Sequence, residues 1–574
     1  MSIEQRAPER ASGVDRRTVL KGTAATAGAA AVVGAATGRA AEAATGGRSF
    51  RHGVASGDPR PHAVVLWTRV TPTAAATPGS GRGPKVSVRW QVATDRRFRH
   101  VVREGRFATG PARDHTVKLD VTGLAPARWY YYRFRYDGVS SPVGRTRTAP
   151  ARDAEVAGLR FGVVSCANLQ AGWFGVYRHL AERDDLDAVL HLGDYLYEYG
   201  PGEYGYGRSN QDIRSHDPAR EMVRLEDYRR RHAQYKTDPD LQRLHAKYPF
   251  VVTWDDHEVA NDQWRAGAEN HDASEGDYRA RRARAHRAYD EWMPARLNGT
   301  ADLRDGTRLF RRFRFGSLAE LSMLDLRSYR DQMVASSVPG SPVGPAADAD
   351  MSDPDRTIAG REQLAWLKDG LRRGGPQWKL VGNPVMIAPV TFAQLPRDVL
   401  DPVNDVTGLL PDDGLAYNTD QWDGYTDDRR EVFAHIRDRG VRDTVFLTGD
   451  IHSGWACELP YDASTYPAVG DSAGVELVCS SVTSNNLKDI TGTPSRTSSI
   501  AVETTIKANN RHVKYLNFDD HGFSVLDITP ARVQMDWFVI DDRADKGTGL
   551  SWTASYASDS GTQKLRPVDK PVGA

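Results

Sequence analysis

Five short apolar runs in this chain each stop at a residue able to ligate a metal ion, and that recurrence constrains the fold more than any other feature. Arg160-Phe161-Gly162-Val163-Val164-Ser165 ends in Cys166. Ala188-Val189-Leu190-His191-Leu192 leads through Gly193 to Asp194, with Tyr197 three residues on. Phe250-Val251-Val252-Thr253-Trp254 ends in Asp255-Asp256-His257-Glu258. Trp378-Lys379-Leu380-Val381-Gly382 ends in Asn383, and Val445-Phe446-Leu447-Thr448 leads through Gly449 to Asp450-Ile451-His452. Continuous apolar runs of this length read as strands buried on both faces. Amphipathic stretches alternate with them. Residues 360–371 carry Leu364, Leu367 and Leu371 at helical spacing, and a second helix is expected over 277–293, stopped by Pro294. The alternation points to an α/β architecture. Ligands of open α/β sheets gather at the carboxyl ends of the strands, so five such ends bring O, N and S donors to one edge. A lone Asp after a strand is ordinarily a turn or cap; five in one region are a site.

The donor types narrow the chemistry. Thiolate, phenolate and imidazole favour a transition-metal ion, whereas Asp and Asn oxygens suit a hard ion such as Ca²⁺ or Mg²⁺. Asp194 stands where it would bridge two ions. A metal pair about 3.5–4 Å apart lowers the pKa of bound water and clamps both oxygens of an in-line displacement at phosphorus. The expected reaction is phosphate-ester hydrolysis with a metal-bound hydroxide as nucleophile. Cys166 is then a thiolate ligand and not the nucleophile; its plain alternative is a small core residue.

Composition excludes other classes. A chain of 574 residues with 40% hydrophobic and 26% charged side chains builds several units with large cores, not a disordered polymer. Lys+Arg 76 against Asp+Glu 75 gives no basic excess to drive a stable nucleic-acid complex. The arginines of 277–293 (Arg279, Arg281, Arg282, Arg284, Arg287) read as a solvated helix face. Three cysteines exclude a disulfide scaffold and a CxxC zinc framework. Cys457 and Cys479 fall on neighbouring expected strands, as a disulfide or as two buried thiols. Alternating β-branched and aromatic runs with Gly/Pro turns over 48–150 indicate a small β-sandwich of fibronectin type. Residues 158–540 are expected as the catalytic domain, and 541–574 as a polar tail, draped over the site or loose.

Arg16-Arg17 precedes a stretch without charge as far as Arg39, and Ala41-Glu42-Ala43 follows. Residues 1–43 therefore read as a twin-arginine signal peptide cleaved near Ala43, with a disordered basic tail as the alternative. The Ala/Gly-rich stretch is too weakly apolar for a transmembrane anchor. No second such run follows, so a secreted protein is expected, delivered by the twin-arginine export machinery.

Seven motifs together carry a family resemblance: Phe50-Arg51-His52-Gly53-Val54-Ala55-Ser56-Gly57-Asp58-Pro59, Ser165-Cys166, Gly193-Asp194-Tyr195-Leu196-Tyr197-Glu198-Tyr199, Thr253-Trp254-Asp255-Asp256-His257-Glu258, Leu324-Asp325-Leu326-Arg327-Ser328-Tyr329-Arg330, Asp420-Gln421-Trp422-Asp423-Gly424-Tyr425 and Gly449-Asp450-Ile451-His452-Ser453. From the export signal to about Val539 the chain resembles the alkaline phosphatase D family of secreted PhoD-like metallophosphoesterases. The resemblance implies a two-sheet α/β/β/α sandwich preceded by the small β-sandwich. It implies Fe³⁺ held by Cys166, Asp194, Tyr197 and His452, and Ca²⁺ held by Asp194, Asp256, Asn383 and Asp450, with Asp255 the neighbouring candidate to Asp256. A second Ca²⁺ occurs in the family without ligands that this sequence assigns. His257 is implied as proton donor to the leaving oxygen or hydrogen-bond partner of the phosphate, or as a structural residue. Arg327 and Arg330 would neutralise phosphate charge or tie a loop to an acid. The implied activity is alkaline phosphatase/phosphodiesterase on mono- or diesters, with calcium-dependent phospholipase D as the alternative; a monomer is expected. Segments 334–356 and 391–428 would form the rim, where Phe392, Trp422 and Tyr425 are either lipid-facing aromatics or packing residues.

Two further matches are weaker. His512-Val513-Lys514-Tyr515-Leu516-Asn517-Phe518-Asp519 fits a phospholipase HxKxxxxD pattern but has no second copy, so a structural or substrate-side His512 is expected. Asp471-Ser472-Ala473 lies between glycines and reads as a loop. A non-enzymatic binding protein would need a degraded metal site, and a nuclease would need a charged groove; neither feature is found.

Overall fold

The apolar runs become strands of two facing sheets. In this computed structural model, which describes residues 49–297, 308–335, 348–392, 396 and 414–573, the first sheet has ten strands. Their spatial order is Arg566–Pro567, Leu550–Asp559, Arg532–Ile540, Gly522–Ile528, Leu159–Val164, Ala188–Leu192, Pro249–Thr253, Val54–Arg60, Ala63–Arg69 and Thr116–Thr122. The second has seven, in the order Arg311–Phe315, Ala319–Met323, Trp378–Asn383, Thr444–Thr448, Ser472–Val478, Gly454–Pro460 and Val513–Asn517. Leu159–Val164, Ala188–Leu192 and Pro249–Thr253 run parallel, as do Trp378–Asn383, Thr444–Thr448 and Ser472–Val478. A bridge between Ser165 and Ser481 joins the carboxyl ends of the two sheets.

Side chains alternating along these strands fill different cores. Phe161, Val163, Leu190, Leu192 and Val251 meet Leu380, Val445, Leu447, Val475 and Leu477 between the sheets, with Trp537. Val164, Val189, Phe250 and Val252 point the other way, against the helices Gly175–Glu182, Leu225–Tyr235, Pro239–Lys247 and Tyr278–Trp292. The second sheet's outer face packs on Arg361–Arg372 and Thr426–Asp438 through Leu364, Leu367, Val432 and Phe433. At about 1.5–3 kcal/mol for each large side chain so buried, the sandwich holds the strand ends as a rigid edge. This is the expected α/β/β/α arrangement.

The N-terminal sandwich shares a layer with the rest. One of its sheets is Val101–Thr109, Val86–Ala93, Trp129–Tyr136 and Val139–Ser140, with Gly144–Arg147 paired to Trp129–Tyr136. The facing layer is Val54–Arg60, Ala63–Arg69 and Thr116–Thr122, which also extend the main sheet; Val54–Arg60 pairs parallel to Pro249–Thr253. Residues 44–574 accordingly form one compact unit.

Three sequence readings change. The segment from Asp541 is no tail: Leu550–Asp559 pairs along the length of Arg532–Ile540, its backbone hydrogen bonds supplying what its polar sequence hid. Of the arginines of Tyr278–Trp292, Arg281 departs from the solvated face: it is buried against Glu221, Glu275 and Tyr228, whereas Arg279 and Arg287 are exposed and Arg282 and Arg284 half-exposed. Cys457 and Cys479 are free thiols on opposite faces of one sheet, so no disulfide joins them. The expected twin-arginine leader and the middles of both expected rim segments lie outside the described residues. Among the described residues no helix is long and apolar enough to cross a membrane.

Candidate metal centre

Donor residues at four of the five strand ends converge. Donor atoms of Cys166, Asp194 and His452 lie within 4.8 Å of one another, as do those of Asp194, Asp256 and His257, and those of Asp255, Asp256 and Asp450. Asp194 and Asp256 each belong to two groups, so the three form one continuous array. Tyr197 completes the first: its hydroxyl is 2.9 Å from Asp194 Oδ2 and 3.3 Å from His452 Nε2.

Local backbone makes this convergence possible. Cys166, Asp194, Asp450 and His452 hold φ of 59°, 53°, 61° and 54°, a left-handed region that non-glycine residues enter at a cost and mostly at functional sites. Gly193, at φ 110°, lets two strand ends touch: a Cβ there would sit 2.6 Å from the Asp255 Cβ. Glu258 ties those ends by accepting the backbone N–H groups of Asp194, Tyr195 and Asp255. Asn485 O accepts from His452 Nδ1, leaving Nε2 to the cluster, and Ser484 Oγ donates to the Tyr197 hydroxyl.

The electrostatics call for cations. Burial, then neighbouring acids, push Asp255 well above the usual carboxyl range against the pull of Arg327; Asp194 is raised likewise by burial and by Asp256 and Asp255, against His257. Burial pushes Asp450 up to about 7. Asp256 goes the other way: burial opposes its ionisation, but Arg327, His257 and the Asp262 N–H hold it well below the usual range. Burial pulls His452 down to about 4, keeping it neutral as a ligand must be, and raises Cys166, with Asp194 adding to the shift. Asp194 Oδ1 and Asp256 Oδ1 are buried with no hydrogen-bond partner, though Arg327 stands 3.6 Å from the second, an expensive state unless a cation fills it. The donor set fits a transition ion beside Cys166, Tyr197 and His452, and a hard ion beside Asp194, Asp256 and Asp450.

Other expected site residues are placed differently. Asn383 is turned away: its Oδ1 accepts from Trp422 Nε1, and its Nδ2 donates to Val385 O and Thr448 Oγ1 near buried Glu476. Both ends of its amide are thus engaged in the core beneath the strand end. Arg327 and Arg330 are fully buried. Arg327 binds Asp255, Asp420 and Asp450; Arg330 binds Asp420 and the Gln263 carbonyl. The Arg327 donors go to acids, and those of Arg330 to one carboxylate and two backbone carbonyls, so both tie loops and carboxylates together. His257 donates Nδ1–H to Glu198 Oε2 at 2.8 Å and lies 4.1 Å, ring to ring, from Tyr197. Burial lowers its affinity for a proton, but Asp256, Glu198 and Asp194 outweigh this and raise it well above an ordinary imidazole. Trp422 and Tyr425 are buried packing residues; Phe392 packs half-buried against the same core. His512 is buried with Nε2 on Pro389 O, and Ser472 bonds its own strand neighbours.

Glu198, Glu258, Asp262, Asp420 and Ser484 are site residues that sequence reasoning missed. Glu198, Glu258 and Asp420 stand inside quoted motifs; a donor–acceptor count for the buried strand ends would have asked for them. Asp262, six residues after Asp256, bonds it through the backbone and is itself pushed up to about 8 by burial, then by Asp420 and Asp256.

Comparison with known proteins gives concordant matches. The family model for the PhoD-like phosphatase matches residues 161–537, and that for the PhoD-like phosphatase N-terminal domain matches 35–150. Alkaline phosphatase D of Bacillus subtilis (strain 168) is 36% identical over 523 residues, covering 90% of this chain and 82% of the relative. A solved structure titled "Structure of PhoD" matches with a TM-score of 0.79 at 34% identity, over 91% of this chain and 93% of that one.

Proposed function

This chain belongs to the PhoD-like phosphatase family and is a phosphoric ester hydrolase, and from that premise we propose that it is an exported alkaline phosphatase/phosphodiesterase with a mixed centre. Fe³⁺ would be held by Cys166, Asp194, Tyr197 and His452, and Ca²⁺ by Asp194, Asp256 and Asp450. The observation that carries the proposal is Asp194, which belongs to two adjoining donor groups and keeps one buried oxygen without a partner. When bound, such ions supply Lewis acidity toward phosphoryl oxygens and activate water.

The chain's own residues supply orientation and a proton. Asn485 fixes the His452 tautomer, a support of the kind that sets ligand basicity and metal affinity. Glu198 accepts from His257 Nδ1 and holds the ring beside Asp194 and Asp256, where it can hydrogen-bond the bound phosphoryl group or give a proton to the leaving oxygen. Arg327 and Arg330 hold the calcium-side carboxylates in register. Residues 1–43 are the twin-arginine leader in this reading. Purified protein should show a visible tyrosinate-to-Fe³⁺ band and hydrolyse p-nitrophenyl phosphate and its bis-ester in a manner abolished by EGTA. A colourless, iron-free, fully active enzyme overturns the iron assignment. Phosphatidylcholine in the same assay decides the phospholipase D alternative, which the buried Trp422 and Tyr425 do not favour.

A further inference from the structure

The helix Ser498–Asn509 buries two polar residues beside one apolar anchor, Ile506. Ser499 Oγ donates to Asp519, and Glu503 accepts from Arg496 and from the Phe518 N–H. Other aliphatic residues face outward. Ile500 is 45% exposed and Val502 37%, and Ile490 on the preceding helix Leu487–Thr491 is 58% exposed. Ala501 and, further along the helix, Ala508 are also exposed. The hydroxyls on this surface are turned back onto their own helices: Thr504 Oγ1 donates to Ile500 O, Thr505 Oγ1 to Ala501 O, and Thr491 Oγ1 to Leu487 O, while Asn509 Nδ2 donates to Thr505 O. What these residues present outward is therefore largely methyl groups. Soluble helices put the opposite face outward.

Charge frames the patch with one sign. Between residues 487 and 511 the carboxylates are Asp489 and Glu503, both buried and paired, to His521 with Arg543 and to Arg496. Lys488, Lys507 and Arg511 stand at its margins. An exposed aliphatic helix face bordered by cations, with no exposed acid within its own segment, suits a membrane interface with anionic lipid. A second copy of the chain fits poorly. A 12-residue helix is about 18 Å long and presents on the order of 200 Å², against about 800 Å² per partner in a stable interface.

We propose that the Leu487–Thr491/Ser498–Asn509 surface docks this protein on an anionic lipid surface. Asn486 caps the first helix, and its neighbour Asn485 accepts from His452 Nδ1, so docking sets the edge of the metal centre beside the lipid headgroups. That last consequence rests on the phosphoesterase reading; the docking itself does not.

The test is co-sedimentation of the purified holoenzyme with vesicles of mixed phosphatidylglycerol and phosphatidylcholine, with pure phosphatidylcholine as the uncharged arm. The parent should bind the anionic vesicles and bind the neutral ones less. The I500E/V502E variant, altered only at exposed positions, should lose about tenfold in vesicle affinity while p-nitrophenyl phosphate hydrolysis stays unchanged, and K507E should weaken only the anionic arm. Parent protein that stays in the supernatant, or a variant that binds as well as the parent, overturns the proposal. So does a parent dimer that I500E/V502E converts to monomer, which would assign the face to a second copy. Vesicle binding without ester hydrolysis would leave the docking surface standing and sink the functional reading instead.

Discussion

The Tyr197 hydroxyl stands 2.9 Å from Asp194 Oδ2, on the turn that leaves the Ala188–Leu192 strand. The relationship is local in sequence, yet it is locked from afar by Ser484, which donates to the same hydroxyl, and by His452 Nε2 at 3.3 Å. The donor array is thus preassembled by the protein, with backbone strain at Cys166, Asp194, Asp450 and His452 held by the surrounding sheets.

Replacing the phenol isolates its contribution. Y197F keeps the ring packing but removes the oxygen that faces Asp194 and His452. The visible band should vanish and kcat/KM on p-nitrophenyl phosphate should fall by about two orders of magnitude, the upper end for loss of a group that tunes a metal site. Absorption spectra with iron analysis, set beside steady-state kinetics, check this. A retained band would assign the chromophore elsewhere.

Calcium binding should expel protons. In the chelated protein Asp450 is pushed up to about 7 by burial, and Asp194 and Asp255 stand well above the usual carboxyl range through burial and mutual repulsion. At pH 6 a fraction of these carboxyls is protonated, and an entering cation must displace those protons. Calorimetric titration of Ca²⁺ in buffers of different ionisation enthalpy should show release near neutrality that declines as the pH rises past Asp450. D256N should weaken calcium binding and also reduce that release, because the ionised Asp256 raises Asp194, Asp255 and Asp450 by repulsion.

The His257–Glu198 pair makes the chelated protein's stability pH-dependent. The folded-state pKa of His257 is raised, against the opposing effect of burial, by Asp256, Glu198 and Asp194. A raised histidine stabilises the fold fully below its unfolded value of about 6.5, and that stability is lost as pH rises through the folded value. Melting temperature should therefore decline on the alkaline side of about pH 6.5. E198Q should flatten this slope, as thermal scans of chelated protein across pH will show. A steeper or unchanged slope in E198Q would remove the pair from the account.

Much of this site was legible because it is written at strand ends. Cys166, Asp194, Asp256, Asp450 and His452 each follow an apolar run closely, so strand periodicity and the rule for sheet edges place them together. Asn383 follows the same rule, yet its amide faces the core, because a strand-terminal residue's side is set by the pleat and by buried Glu476, which sequence does not announce. Arg327 and Arg330 are bound by Asp420, 93 and 90 residues away, a pairing that no local pattern encodes. The strand Leu550–Asp559 was hidden for a different reason: an edge strand with an exposed face needs little apolar periodicity when its ladder to Arg532–Ile540 supplies the specificity.

Arg327 gives the sharpest discrimination between a substrate-binding and an internal role. Its guanidinium serves Asp255, Asp420 and Asp450 at once and is wholly buried. Removing one partner of a buried ionic network leaves uncompensated charge and costs about 3–5 kcal/mol. R327Q should therefore lower the urea midpoint strongly in chelated protein, and added Ca²⁺ should restore part of the loss by neutralising the same carboxylates. Protein that is folded and calcium-loaded should show a KM for p-nitrophenyl phosphate within about threefold of the parent, since a group that never meets substrate contributes nothing to ground-state binding. A variant of parental stability with a KM raised tenfold or more would instead return Arg327 to the phosphate.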